Sequence, residues 1–154
     1  MATSWTRETV IEKVRAAADA LGPSNTQQIA QLRFSLERTE ESAVFSGLYA
    51  FFSEPELQEN SSHRQELAGE LLLAVSPECT ANLEQVLIAS LPFYELSVEQ
   101  FPWYLSEKFG AKNVMAIARK VKQELSGARE EQAAETLAWW CRQNVGPVTE
   151  KRHA

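Results

Sequence analysis

An all-α domain of seven to eight short helices is the architecture this sequence predicts, packed as a compact multi-helix bundle or a short α-solenoid-like stack. Three observations carry that expectation. Apolar residues recur at spacings of three and four, the period of one helix face, and no segment alternates as a half-buried strand does. Cap and stop residues punctuate the chain at helix-length intervals. The chain has 154 residues, 44% hydrophobic and 23% charged, which is the size and balance of one globular domain. That domain is assigned to residues 1–146, and 147–154 read as a flexible C-terminal tail.

The first helix spans about Thr6 to Leu21, with Val10, Val14, Ala17, Ala18 and Leu21 on one face. Gly22-Pro23 stops it, a glycine past the end followed by a proline. Ser24 and Asn25 offer caps for the next helix. From Thr26 to Phe52 there are two apolar stripes, Ile29, Leu32 and Leu36, then Val44, Phe45, Leu48, Tyr49 and Phe52. The polar run Glu37 to Glu41 separates them and the stripe loses phase, so two helices are expected, with Thr39 as a cap. One long helix is the alternative. Ser53 to Ser62 reads as a loop open to motion or contact.

Ser62-His63-Arg64-Gln65 has the form of a capping box, opening a helix with Leu67, Leu71, Leu72 and Val75. Ser76-Pro77 reads as a fresh start, cap then first-turn proline, for a helix carrying Leu83, Val86, Leu87 and Leu91. Ser97-Val98-Glu99-Gln100 looks like a second capping box, for a helix ending at Gly110. The stretches Ala111 to Leu125 and Ala128 to Arg142 complete the set, with Gly146-Pro147 as the final stop.

Charge is unevenly spread. The net charge is −6, and between Thr39 and Gly110 twelve acidic residues face two basic ones, Arg64 and Lys108. From Ala111 to Ala154 there are eight basic and five acidic residues. The overall balance disfavours a non-specific grip on nucleic acid. The basic residues of 112–122 lie opposite an apolar face, as on any surface helix. No segment has the apolar length of a membrane span. Two cysteines, Cys79 and Cys141, do not make a disulfide framework. A cytoplasmic protein with reduced thiols and no membrane partner is expected.

Several chemistries lack their residues. The histidines are His63 and His153, too few for a helix-borne zinc or di-metal site. The six glycines are scattered and form no phosphate-cradling loop. No catalytic residue, metal or cofactor is assigned. Cys79 and a glutamate cleft are the chemical handles: Cys79 is third in a helix after Ser76-Pro77, where the helix end would acidify its thiol, although Glu78 opposes that.

Six of the fourteen aromatic residues lie between Leu91 and Gly110. At about 100° per residue, Val98, Phe101, Leu105 and Phe109 share one arc and belong to the core. Trp103 and Tyr104 fall on opposite flanks of that arc. Pro102, at the fifth helical position, leaves one carbonyl without its N–H and is expected to bend the first turn, aiming Phe93 and Tyr94 outward. Trp139 is likewise off the apolar face of the last helix, whose Trp140 is on it. Phe93, Tyr94, Trp103, Tyr104 and Trp139 are therefore the candidate partner-binding residues, with glutamates at the rim.

The function these features favour is a non-enzymatic helical protein–protein interaction module, an adaptor or accessory subunit. Its partner is another protein, one with a basic surface being the acidic rim's complement; nucleic acid is disfavoured and self-association is left open. The alternative is a small acidic inhibitor, immunity-type or nucleic-acid-mimic protein that neutralises a basic partner. An enzyme using Cys79 or a glutamate cleft ranks below both.

Overall fold

The structure, a computed structural model, describes residues 4–125 and 127–143. The expected tail at 147–154 lies outside them. Among the described residues there are eight α-helices and no strand: α1 Arg7–Leu21, α2 Thr26–Leu36, α3 Glu41–Ser53, α4 Ser61–Val75, α5 Leu83–Ser90, α6 Gln100–Phe109, α7 Ala111–Glu124 and α8 Ala128–Gln143. A single 3₁₀ turn, Pro55–Leu57, precedes α4. The helices form a bundle around one contiguous core that runs from Val10 to Cys141.

Several helix ends follow their local residues. Thr6 and Asn25 cap α1 and α2, each side-chain oxygen accepting the N–H three residues on. Asn82 does the same for α5. Gly22 ends α1 at a φ of +82° and Gly110 ends α6 at +89°, a backbone region that glycine enters without steric penalty.

Other ends depart from their local signals, and tertiary partners explain why. The break between α2 and α3 is where expected, but Thr39 does not cap. Its hydroxyl donates to the Ser35 carbonyl at 3.0 Å and accepts the Trp5 N–H at 3.4 Å. Neither capping box forms. α4 begins after Asn60, in the left-handed region at φ 51°, and Gln65 is fully buried. The Gln65 amide crosses to the loop before α6 instead: Nε2 donates to Phe93 O at 2.8 Å and Oε1 accepts Glu95 N–H at 2.9 Å. Ser76-Pro77 starts no helix. Ser76 ends α4 in the left-handed region at φ 54°, and α5 starts only at Leu83. The segment 53–62 is pinned too, by buried Leu57 and by Gln58 Nε2 donating to the Phe51 and Glu54 carbonyls.

α4 is the hub. It meets α1, α2, α3 and α6. Two glycines set these approaches. A Cβ on Gly47 of α3 would sit 2.6 Å from Val10 Cγ1 of α1, and one on Gly69 of α4 would sit 2.8 Å from Gln100 Cβ. α6 is packed on α4, α7 and α8 and, through the rings of Phe101 and Tyr104, on α3. A helix so enclosed buries more than one stripe. Phe101 and Leu105 are buried as expected, Phe109 only partly.

Arg64 is the one buried cation among the described residues. Its Nε and Nη2 donate to the two Asp19 carboxylate oxygens at 3.0 and 2.8 Å, and Nη1 donates to Leu57 O at 3.2 Å. This fork ties α4 to α1 and supplies the charge partner that a buried guanidinium needs.

Candidate functional site: the groove between α7 and α8

The five candidate aromatic residues separate sharply. Tyr94 and Tyr104 are fully buried, so they are core residues and not docking anchors. Tyr94 turns inward for a local reason. Glu99 is already helical, at φ −82° and ψ −21°, so an N–H on residue 102 would point at the Val98 carbonyl. Pro102 has none. The Tyr94 hydroxyl fills the place, donating to Val98 O at 2.7 Å. The carbonyl left open by Pro102 thus draws Tyr94 into the core, the reverse of the outward aim expected. Tyr104 donates to Pro77 O at 2.6 Å and lies beside Phe45, with ring centroids 6.3 Å apart. Burial pushes both phenols well above their ordinary value.

Phe93 and Trp103 are half-buried. The loop around Phe93 is clamped from three sides. Gln65 donates to Phe93 O, and Arg129 reaches Pro92 O and Tyr94 O at 2.9 and 3.0 Å. Trp140 Nε1 donates to Leu96 O at 2.9 Å. Trp103 lies edge-on to Trp140 at 6.3 Å, and its indole nitrogen is buried without a hydrogen-bond partner.

Trp139 alone of the five is exposed, at 44%. It stacks edge-to-face on Trp140 at 4.8 Å. The column Trp103–Trp140–Trp139 therefore leads from the α6 face to the surface, with its middle ring bonded to the loop before α6. A ring held this way loses little side-chain freedom on binding.

Trp139 lines a groove of about 320 Å³ between α7 and α8. The groove exists because small residues face each other there: Ala118 from α7, Ala134 and Ala138 from α8, with Met115 at one side. Arg119 and Arg142 line it and are exposed, and Lys122 is paired with Glu135 across it. Phe93, Tyr94, Trp103 and Tyr104 do not line it. The rim beside exposed Trp139 is thus basic, not the glutamate rim expected. The spacing held the signal: Met115, Ala118, Arg119 and Lys122 recur at three and four, as do Ala134, Glu135, Ala138, Trp139 and Arg142. Each set is one helical face.

Phe34 on α2 is another exposed aromatic residue, at 59%, missed in the sequence. The Arg38 guanidinium sits 3.5 Å over its ring and donates to its carbonyl, so one ring face is already covered.

Cys79 lies beside an open cavity of about 500 Å³ with Glu41, Glu78, Lys108 and Phe109. It is in the coil between α4 and α5, not at a helix start. Burial pushes its thiol up, outweighing the contact with Ala81 O and the nearby Lys108 charge. Both facts oppose the thiolate that nucleophilic work needs. His63 is exposed on α4. Among the described residues, no group of three or more His, Cys, Asp or Glu is placed to hold a metal ion, and no helix is long and apolar enough to cross a membrane.

Fold and groove together define an all-α helical protein with a tryptophan exposed beside a surface groove. Comparison with protein-family models, with curated proteins and with solved structures finds no match.

Proposed function

We propose that this protein is a non-enzymatic helical module that docks another protein through the α7/α8 groove, with Trp139 as its anchor. One observation carries the reading: a tryptophan is 44% exposed while its neighbour Trp140 is bonded into the bundle. Exposed tryptophan beside a small-residue cleft is the composition of an interface centre. Phe93 and Trp103, both half-buried, are secondary contacts at most. Reduced Cys79 and Cys141 fit a cytoplasmic setting.

A photoreactive phenylalanine analogue in place of Met115, expressed in the native cell, tests this. Irradiation should give a discrete adduct that Trp139→Ala abolishes. An adduct pattern identical to that from the exposed position of Gln132, or one indifferent to Trp139, would sink the reading.

The second reading, an acidic inhibitor of a basic partner, is favoured by the −10 balance between Thr39 and Gly110. It ranks lower because several of those carboxylates are engaged within the protein. Glu54 pairs with Arg7 and Glu84 with Lys120, while Glu95 and Glu107 accept the Ser61 and Ser76 hydroxyls. Tight, steeply salt-dependent capture on an immobilised lysine-rich protein would move it first.

A further inference from the structure

We propose that the occupant of the α7/α8 groove is an acidic segment of another protein carrying one large apolar residue. This rests on the docking reading above and names its partner's chemistry. The groove's charges decide the sign. Lys122 and Glu135 cancel each other in an ion pair. Arg119 and Arg142 remain, both exposed, and neither has an ion-pair partner among the described residues. Two guanidinium groups lining the same groove as an aromatic ring form a seat for carboxylates, because the planar fork pairs both oxygens of a carboxyl group.

The floor decides the rest of the occupant. Ala118, Ala134 and Ala138 leave about 320 Å³ beside Trp139, room for one large apolar side chain and part of its neighbours. The surrounding field gives the location. The chain carries −6 overall and the 39–110 block twelve acidic against two basic residues, so an acidic segment is repelled from that block and admitted at this groove. Nucleic acid is a weaker fit: a duplex grip uses roughly six or more phosphate contacts, and two guanidinium groups do not supply them.

The experiment titrates the full chain with two synthetic peptides of the same leucine–tryptophan pattern, one filled with glutamates and one with lysines, and with an oligothymidine strand. Backbone amide NMR reads where binding occurs. The glutamate peptide should shift amides of 115–122 and 134–142, and its affinity should fall at least about tenfold from low to high salt. Arg119→Glu with Arg142→Glu, both on exposed positions, should weaken it by at least about tenfold with an unchanged thermal melt. No binding by the glutamate peptide, equal or tighter binding by the lysine peptide or the oligonucleotide, or shifts confined to other helices would overturn the inference. A Trp139-dependent cellular adduct that survives the double charge reversal would overturn the acidic occupant and leave the docking reading standing. Loss of Trp139 dependence would remove the docking reading itself.

Discussion

Tyr94→Phe removes one oxygen atom and tests the reasoning about Pro102. The hydroxyl donates to Val98 O at 2.7 Å in a fully buried setting. Ring and methylene stay, so packing is nearly unchanged. Two terms remain: the net worth of a hydrogen bond, about 1 kcal/mol, and the penalty of a buried carbonyl left unpaired, about 1–3 kcal/mol. These overlap, and a loss of about 2 kcal/mol is expected. For a chain of this length that lowers the melting temperature by roughly 4–8 °C. Urea unfolding should give the same loss with an unchanged m-value. The decisive comparison is a double-mutant cycle with Pro102→Ala. Alanine restores an N–H aimed at Val98 O, so Tyr94→Phe should then be milder by about 1 kcal/mol. Equal losses in both backgrounds would refute the claim that Tyr94 substitutes for the missing N–H.

Four further outcomes are expected. Gln65→Leu leaves Phe93 O and Glu95 N–H without the partners at 2.8 and 2.9 Å; about 2 kcal/mol of stability should be lost and the Glu95 amide should exchange faster, and unaltered exchange there would contradict the clamp. Gly47→Ala gains helix propensity of about 1 kcal/mol but drives a Cβ to 2.6 Å from Val10 Cγ1 and 3.2 Å from Arg7 O; a net loss of about 1–2 kcal/mol in a thermal melt is expected, and a stabler variant would refute the close α1–α3 contact. The Arg64 guanidinium holds the Asp19 carboxyl down from 3.8 to about 2. A lowered folded value contributes stability above the ordinary value that fades as pH falls towards 2. Asp19 is 40% exposed, so solvent screening reduces this to about 1 kcal/mol; the gap between the protein and its Asp19→Asn variant should close on going from about pH 6 to about pH 2, and a constant gap would contradict the pairing. Cys79, with its thiol pushed up by burial, should alkylate more slowly at neutral pH than the same thiol in urea; faster reaction in the folded protein would revive the enzyme reading.

The sequence by itself determined that the chain is helical and set most of the core stripes, although Leu21 of the α1 stripe is 51% exposed and the helix expected from Ser76-Pro77 starts only at Leu83. Periodicity at Val10–Val14–Ala17, at Leu83–Val86–Leu87 and at Phe101–Leu105 is a local property, and burial follows from it wherever one helix face meets one neighbour. The glycine stops at Gly22 and Gly110 and the cap at Asn25 are local as well. The tertiary structure alone decided everything that depends on a second or third neighbour. Gln65 completed no capping box because a buried amide finds better partners in a loop thirty residues on. Tyr94 and Tyr104 left the surface because α6 is enclosed by its neighbouring helices and Pro102 opened a carbonyl for a hydroxyl to fill. Gly47 and Gly69, scattered in the sequence, became the points where helices touch. Trp139 stayed at the surface because no described helix covers the outer side of α7 and α8. Its rim is basic because Arg119 and Arg142, twenty-three positions apart in the chain, meet only when those two helices pack. Periodicity reports the face a residue occupies; only packing reports what, if anything, stands in front of it.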